Sequence, residues 1–355
     1  MANNLKKDAT RFLVINADDF GYCEQRNRGI VESVQSGVVS STSLLVNADK
    51  ALEAVKLARE YSIPLGLHLN LTEGRTMKSR LSSLTLENGY MRGKFGFRKA
   101  LGNGEIDLNE IKEEIECQLQ WFIDNIGSLP THIDGHQHVH VLPQVCKVMC
   151  EVIKEFGICW TRVPVEINLE DCVWIKEPVN NFNKSVMADA ENSKSILSNY
   201  GIRFSSHFIG FSTMGKDMTV SRLKQAIENV FAEDSETVCE LMVHPGYKSI
   251  LGCGGCVALS GQCVETEGKH WIKIIYKFLT CNSENYHGLG KPTAHLLMSF
   301  VPAPLVTPRW TLYCALRLMG SKDETRARHY SRKVYRCAVR PKTGFEREFS
   351  PNPNS

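Results

Sequence analysis

The 355-residue sequence has no uninterrupted apolar run long enough to cross a membrane. Its longest late apolar segment, residues 296–306, is broken by Pro302 and Pro304. The basic residues near the start are followed by no apolar run of signal-peptide length. We therefore expect no membrane partner, no signal peptide and an intracellular, cytoplasmic location. In that setting the 13 cysteines are best interpreted as mostly reduced thiols.

The sequence also carries no strong charge of either sign, because its formal net charge is only +3 at pH 7. Proteins that bind nucleic acid or an anionic membrane surface usually have a pronounced basic excess. The charge balance therefore gives no reason to expect nucleic acid as a partner. At this length and with 43% hydrophobic residues, the chain can bury one substantial core.

What the sequence does contain is an acid pair close behind an apolar stretch. Residues 11–15 (RFLVI) are typical of a buried strand, and Asp18 and Asp19 follow in the run NADDFG. Neighbouring side chains of a strand point to opposite faces, but where the chain turns both carboxylates can face one cleft. Two carboxylates at such a short distance repel each other unless a proton or a cation lies between them. The alternative is a solvated turn that caps a helix starting near Glu24.

Three segments that contain histidine follow other apolar stretches. They are residues 64–74 (PLGLHLNLTEG), residues 131–140 (THIDGHQHVH) and residues 241–247 (LMVHPGY). Neutral imidazole and carboxylate together are a common ligand set for a divalent metal in a hydrolytic site. Asp19, His68 and one histidine of the second segment would supply three ligands and leave positions open for water.

Each histidine also has a simpler explanation. A lone residue such as His68 on an amphipathic strand is more often half-buried and hydrogen-bonded than a ligand. His244 before Pro245 could simply end a strand, and we expect His138 and His140 to support the site from behind or to lie at the surface. Acids and histidines at the ends of several strands are nevertheless typical of a site at the mouth of a βα barrel. The joint pattern therefore favours a metal-dependent hydrolase.

Two further residues are candidates on chemical grounds. Arg162 ends the next predicted strand and could pair with Asp18, holding that carboxylate ionised and oriented. A salt bridge at the rim or a contact with a helix end would explain Arg162 equally well. Asp134 lies between two histidines, and we predict that it supports a ligand imidazole.

Apolar strands alternate with amphipathic helices along most of the chain. The predicted strands are residues 12–16, 43–46, 65–70, 131–134, 160–163, 207–211 and 238–243. The predicted helices are residues 24–36, 50–61, 108–126, 142–156, 194–199 and 220–231. Repeated βα units predict an α/β fold with a parallel sheet. A doubly wound sheet would also satisfy the alternation, but a TIM-like, irregular (β/α) barrel would bring early, middle and late strands to one site.

Two stretches interrupt the alternation and a third ends it. Residues 73–103 are predicted to be a long loop over the mouth of the barrel, and residues 171–192 a second insertion. The barrel is predicted to occupy residues 1–256. Residues 257–355 are predicted to form a divergent C-terminal extension that is disordered in part, since residues 321–355 are basic and polar.

These segments resemble, in family order, the motifs of the YdjC-like carbohydrate deacetylases, which include the bacterial chitooligosaccharide deacetylases. The resemblance covers residues 11–256 and rests on NADDFG, GLHLNLT, THIDGHQHVH and HPG. It implies a general base (Asp18), three metal ligands (Asp19, His68 and His136) and a general acid (His244). The choice of His136 over His132 as the third ligand rests on the resemblance alone.

The resemblance implies a metal-dependent hydrolase that removes acetyl groups from N-acetylated oligosaccharides, with Asp18 acting on a metal-bound water. It implies Mg²⁺, whereas a histidine-rich ligand set leans towards Zn²⁺ or another divalent metal. A homodimer is left open. The alternatives are a metal-dependent phosphoesterase and a catalytically inactive carbohydrate-binding protein. The first would need a cradle for phosphate, and the sequence has no phosphate loop.

Overall fold

The computed structural model describes residues 10–79, 81–233 and 236–247. The strands in this part of the chain are β1 (Thr10–Phe20), β2 (Ser41–Leu44), β3 (Leu65–Leu69), β4 (Ile133–Gly135), β5 (His207–Ile209) and β6 (Glu236–Val243). The α-helices are α1 (Glu24–Gln35), α2 (Ala51–Glu60), α3 (Gly93–Gly102), α4 (Leu108–Ile126), α5 (Pro143–Phe156), α6 (Val179–Asn199) and α7 (Val220–Glu233). Short 3-10 turns cover His136–Val141, Leu169–Asp171 and Gly215–Asp217.

The strands form a parallel sheet with the order β4-β3-β2-β1-β6-β5. The first strand, β1, lies in the middle and pairs with β2 on one side and with β6 on the other. Its Leu13, Ile15 and Ala17 are buried in the main apolar core. Because alternate side chains of a strand share one face, these three lie together on one face of the sheet. The α/β class predicted from the sequence is confirmed.

Short pairings beyond the regular strands curl the sheet, so that its β4 edge approaches its β5 edge. The predicted strand at residues 160–163 is not a regular strand, because it makes isolated bridges: Ile133 pairs with Thr161, and Trp160 pairs with Arg203. Arg203 lies shortly before β5, so these bridges lead from the β4 edge towards the β5 edge. The architecture is therefore a curled, irregular barrel sheet of the kind predicted, and not a flat doubly wound sheet.

The helix α4 shows how local sequence signals set its bounds. Asp107 accepts a hydrogen bond from the backbone N–H of Asn109 at 2.8 Å, and Gly127 ends the helix with a φ of 85°. The buried side chains of α4 recur three or four residues apart: Ile111, Ile115, Leu119 and Phe122. At the start of α1 the N-cap residue is Cys23, so Asp18 and Asp19 do not cap this helix as the alternative required.

The predicted loop and the predicted second insertion each contain a helix. Within residues 73–103 lies α3, so the prediction that this whole stretch is a loop was wrong, and α6 covers much of residues 171–192. The two helices contact each other, since Arg98 Nη1 lies 2.8 Å from Asp189 Oδ2 and the rings of Phe95 and Phe182 have centroids 5.9 Å apart. The two insertions therefore form one packed layer.

None of the helices in the described residues combines the length and apolarity that crossing a membrane would require. The cysteines in the same part of the chain have free thiols, as predicted: Cys23, Cys117, Cys146, Cys150, Cys159, Cys172 and Cys239. The predicted extension at residues 257–355 lies outside the described residues.

Candidate active site

The acid pair lies inside β1, at an irregularity in its pairing with β2. The register of the two strands shifts between Ala17 and Phe20, and Asp19 has a φ of 67°, in the left-handed region. This bulge brings both carboxylates to one cleft. His244 Nε2 lies 3.9 Å from Oδ2 of Asp18 and 3.9 Å from Oδ2 of Asp19. Both acids therefore lie close to the same imidazole, as a shared site requires.

Asp19 contacts both imidazoles that were predicted to share a metal with it. Its Oδ1 lies 3.0 Å from Nδ1 of His136 and 3.4 Å from Nε2 of His68. All three residues are buried, and one potential ligand atom from each lies within 4.8 Å of the others. Burial raises the pKa of Asp19, but the histidines outweigh it and hold the pKa well below its usual range.

The carboxylates around the two imidazoles favour positive charge at this point. Burial lowers the pKa of His68, but Asp134 and Asp18 outweigh that effect and raise it to about 10. Burial likewise lowers the pKa of His136, which Asp19 and Glu73 raise to about 9. An imidazolium or a bound cation would satisfy the same electrostatic field.

The two histidines that flank β4, His132 and His136, lie in different environments. His136 reaches Asp19, as described above. His132 packs its ring against Gly66, where an added Cβ would lie 2.2 Å from Cε1 of the ring, and its Nε2 lies 3.9 Å from Asp134 Oδ2. The geometry thus groups His136, and not His132, with Asp19 and His68.

The remaining two histidines of this segment are buried, so the surface alternative for them is wrong. His140 donates its Nε2 hydrogen to the backbone carbonyl of Arg162 at 3.0 Å. The ring of His138 lies against Phe208 and Phe211, with centroids 6.2 and 5.2 Å away. Both residues therefore support the site from behind, His140 by fixing the chain at Arg162.

Arg162 is completely buried and binds three carboxylates. Its Nη1 and Nη2 donate to the two oxygens of Asp18 at 2.6 and 2.7 Å. Its Nη2 also lies 2.9 Å from Asp134 Oδ2, and its Nε donates to Glu240 Oε1 at 2.7 Å. Burial raises the pKa of Asp18, but Arg162 more than offsets this and lowers it. A buried bidentate pair replaces the rim salt bridge that was the alternative.

Asp134 connects the group around Arg162 with the imidazoles that contact Asp19. Its Oδ1 lies 2.7 Å from Nδ1 of His68, which is the predicted contact with an imidazole, and its Oδ2 pairs with Arg162. Asn16 strengthens the group around Arg162, since its Nδ2 donates to Asp18 Oδ1 at 2.8 Å and to Asp134 Oδ2 at 3.4 Å. Through Asp134, the carboxylates around Arg162 and the imidazoles around Asp19 therefore form one network.

Two acids of the site, the buried Glu240 and the half-buried Glu73, were missed by sequence reasoning. Glu240 is a lone acid in the apolar run of β6, and a charge buried in a central strand needs a partner, so the signal was available. Burial raises its pKa to about 7, although Arg162 acts in the opposite direction. Glu73 follows β3, and its Oε2 lies 3.2 Å from Nε2 of His136. No local pattern distinguishes Glu73 from an ordinary loop acid.

His244 faces the cleft from the end of β6, with 27% of its side chain exposed. Burial lowers its pKa below the ordinary value, although Asp19 and Asp18 act in the opposite direction. Arg26 donates a hydrogen bond from Nη1 to the backbone carbonyl of His244 and so holds the chain here. The imidazole therefore binds a proton less tightly than a histidine exposed to water.

A cleft opens beside His136. Its lining combines aromatic, amide and carboxylate side chains: Tyr22, Leu45, Asn47, Ala48, Asp49, Asn70, Glu73, Gly74 and His136. Such a mixture of one apolar face and several hydrogen-bonding groups suits a polar small molecule.

Comparison with known proteins agrees with this geometry. The family model of YdjC-like proteins matches residues 12–262. A carbohydrate deacetylase of Mus musculus is 45% identical over 251 residues, covering 69% of this chain and 81% of the relative. A chitooligosaccharide deacetylase of Yersinia pestis (strain Pestoides F) is 42% identical over 146 residues, covering 41% of this chain and 56% of the relative.

Among solved structures, a protein of Enterococcus faecalis V583 proposed to cleave cellobiose phosphate aligns with a TM-score of 0.54 and 25% identity. The alignment covers 68% of this chain and 83% of that one. The family match spans every residue of the site described above. The resemblance seen in the motifs is therefore confirmed, and this chain belongs to the family of YdjC-like proteins.

Proposed function

We propose that this chain is a metal-dependent hydrolase that removes acetyl groups from N-acetylated carbohydrates, with chitooligosaccharides as the first substrates to test. One observation carries the proposal: the bulge in β1 presents two adjacent acids to one cleft with different partners. Asp19 lies against two imidazoles, whereas Asp18 lies against Arg162. A metal ligand and a general base need such different surroundings. The relatives named carbohydrate deacetylase and chitooligosaccharide deacetylase support the substrate class.

The donor set of Asp19, His68 and His136 fits a divalent cation. It combines one carboxylate with two imidazoles, all buried and with their ligand atoms within 4.8 Å of one another. The ligand types suit Zn²⁺, whereas the family resemblance implies Mg²⁺, so both ions should be tested. A cation held by these side chains would polarise the acetyl carbonyl and lower the pKa of the attacking water.

Asp18 is proposed as the general base. The two hydrogen bonds from Arg162, at 2.6 and 2.7 Å, favour its ionised form and fix the plane of the carboxylate. Because Oδ1 also accepts a hydrogen bond from Asn16, Oδ2 is the oxygen whose further lone pair can accept a proton. The proton of the attacking water passes to Asp18 while the water oxygen bonds to the acetyl carbon. General base catalysis of this kind contributes about 10²–10⁴-fold to the rate.

His244 is proposed as the general acid that protonates the departing nitrogen. Its Nε2 lies 3.9 Å from an oxygen of each of the two acids, so it faces the reacting atoms from the opposite wall of the cleft. Because burial lowers its pKa, a proton on His244 is readily given to the amine. The C–N bond then breaks to give a free amine and acetic acid, which releases its remaining proton to water and becomes acetate. The proton gained by Asp18 passes to His244 and restores it.

The alternatives explain fewer of these contacts. A phosphoesterase needs positive charge directed at a phosphate, but Arg162, the guanidinium inside this cluster, is already paired with three carboxylates. A carbohydrate-binding protein without activity would use the cleft beside His136. It would have no need for a buried Asp18 that Arg162 keeps ionised and aligned. We therefore favour hydrolysis.

Acetate release from N-acetylated chitooligosaccharides tests the proposal. The intact chain should release acetate with Mg²⁺ or Zn²⁺ and should stop when a chelator is added. Asp18→Asn should lower the rate by about 10²–10⁴-fold. The matched control is Asp124→Asn, the same change at an exposed position of α4, which should keep the wild-type rate.

Three other results would overturn the proposal. A folded wild-type protein that releases no acetate with either metal present would exclude this substrate class. Phosphate release from sugar phosphates by the same preparation would favour the phosphoesterase. Oligosaccharide binding without turnover, measured by calorimetry, would favour the binding protein.

A further inference from the structure

Each imidazole that contacts Asp19 also contacts a second carboxylate through its other ring nitrogen. His68 directs Nε2 towards Asp19 and Nδ1 towards Asp134, whose Oδ1 lies 2.7 Å away. His136 is turned the other way round, with Nδ1 towards Asp19 and Nε2 3.2 Å from Glu73 Oε2. A carboxylate on the outer nitrogen of a metal-binding histidine fixes its tautomer and ring orientation.

Hydrogen bonds hold both the side chain and the backbone of Glu73 in this position. Its Oε1 accepts a hydrogen bond from Gln137 Nε2 at 2.5 Å, so both carboxylate oxygens are engaged. Its backbone N–H donates to Asn70 Oδ1 at 3.1 Å, and its carbonyl accepts from Asn70 Nδ2 at 2.9 Å. The Asn70 side chain thus closes a tight turn after β3 that presents Glu73 to His136.

The segment that carries His136 is also held in an uncommon backbone conformation. Gln137 and His138 have φ values of 52° and 58°, in the left-handed region where non-glycine residues are rare. Strain of this kind persists only where the surroundings impose it. The hydrogen bond from Gln137 to Glu73 is one such constraint, and it joins the turn after β3 to the turn after β4.

We propose that Glu73 is a positioning residue for His136: its carboxylate accepts the Nε2 hydrogen, which leaves Nδ1 as the unprotonated donor directed at Asp19. The inference rests on the proposed function, because it takes His136 as a metal ligand. Glu73 would therefore set the affinity of the metal centre without being a ligand itself. Asp134 makes the equivalent contact with His68, but it also binds Arg162, so Glu73 offers the cleaner test.

The affinity for metal, measured by calorimetry with Zn²⁺ alone and with Mg²⁺ alone, tests the proposal directly. Glu73→Ala removes the acceptor and should weaken binding by about 10–100-fold. Glu73→Gln keeps a side-chain oxygen that can accept the Nε2 hydrogen, so it should recover part of the loss. The matched control is Glu87→Ala, an exposed acid between β3 and α3, which should bind the metal as the wild type does.

The Nε2 proton of His136 gives a second reading that general damage to the fold would not reproduce. In spectra of the zinc-loaded, ¹⁵N-labelled protein, assigned with His136→Asn, the wild type should show an Nε2 proton that is hydrogen-bonded and protected from exchange with water. In Glu73→Ala this proton loses its acceptor, so its resonance should move upfield and its exchange with water should become faster. Circular dichroism and thermal unfolding of the metal-free variants establish that they fold.

Unchanged metal affinity in a folded Glu73→Ala variant would overturn the proposal, as would an unchanged His136 spectrum. A wild-type chain that binds neither ion would overturn it together with the metal requirement. Neither experiment depends on acetate release. A failure of the proposed substrate class would therefore be recognised separately.

Discussion

Asp18 and Asp19 are consecutive residues, yet their carboxylates face chemically different neighbours. Asp18 is fixed by a guanidinium, and Asp19 lies against two imidazoles. The cause is the register shift between Ala17 and Phe20, since a regular strand would send the two side chains to opposite faces of the sheet. A single backbone irregularity therefore gives neighbouring acids two separate environments.

Arg162 holds three buried carboxylates together, and removing its charge would leave them uncompensated. We expect Arg162→Met, which retains much of the side-chain volume, to lower the free energy of unfolding by about 3–5 kcal/mol. Denaturant unfolding measures this change. The matched control is Arg28→Met, because Arg28 pairs with Glu32 at the surface, where such pairs contribute less than about 1 kcal/mol. Equal losses in both variants would contradict the stabilising role of Arg162.

The sequence predicted the acids and histidines of the site because they recur after apolar strands. The strand pattern alone did not predict which histidine contacts Asp19, since His132 and His136 are equally close to β4 and only the three-dimensional path of the chain separates them. Glu240 was detectable as a lone charge in a buried strand. Glu73 was not, because its partner His136 is distant in sequence and loop acids are common.

Among the secondary-structure elements, α4 and α6 show when a helix can be predicted. For α4 an N-cap, a C-terminal glycine and an apolar stripe agree, and its predicted bounds match the observed ones. The buried positions of α6 also recur three or four residues apart, but Asn183 and Ser193 are among them, so the apolar pattern is weak. Only residues 194–199 of that helix were predicted. A helix whose buried face contains polar side chains escapes a reading based on hydrophobic periodicity.

The helix α4 also anchors the chain that follows β3. Glu114 is fully buried and accepts hydrogen bonds from the backbone N–H of Met77, at 3.1 and 2.9 Å to its two oxygens, and from Gln118 at 2.8 Å. Gln118 in turn binds the backbone N–H and carbonyl of Asn70, at 3.1 and 2.7 Å. This buried cluster fixes the start and the course of the segment that carries Glu73.

The stability of this anchor should depend on pH. Burial raises the pKa of Glu114 from its ordinary value of 4.5 to about 7, so between those values the folded state binds more protons than the unfolded state. The stability that this provides is complete below pH 4.5 and is lost as the pH rises to 7, by up to about 3 kcal/mol. Glu114→Gln cannot ionise and should escape this loss.

Unfolding free energies of the two proteins, measured from pH 4.5 to 7, test this expectation. The variant should become more stable relative to the wild type as the pH rises. Glu116→Gln, the same change in charge on the same helix, corrects for the effect of net charge. A difference between Glu114→Gln and wild type that stays constant across this range would contradict the assignment.

For the whole molecule, the alternation of strands and helices was enough to predict the α/β class and the parallel sheet. The preference for a barrel over a flat sheet came from the distribution of site residues, and the curl of the sheet agrees with it. The sequence could not foresee that residues 160–163 pair through isolated bridges, because their apolar and β-branched residues are those of an ordinary strand.

The boundary of the catalytic unit remains a prediction at this scale. The family match ends at residue 262, and the predicted extension covers residues 257–355. We expect a chain that ends at residue 262 to keep the metal affinity and the melting temperature of the full-length chain, as measured by calorimetry and thermal unfolding. Loss of cooperative unfolding in the shortened chain would mean that the extension supplies part of the core.

The pairing of β1 with β6 has a consequence for synthesis on the ribosome. The strand made first lies at the centre of the sheet, and one of its two neighbours is the last of the described strands to be made. The backbone N–H and C=O groups along one edge of β1 therefore stay unpaired while most of the chain is translated. An unpaired strand with apolar side chains makes the nascent protein prone to aggregation. We expect folding to be slow and to benefit from chaperones that shield this edge until β6 arrives.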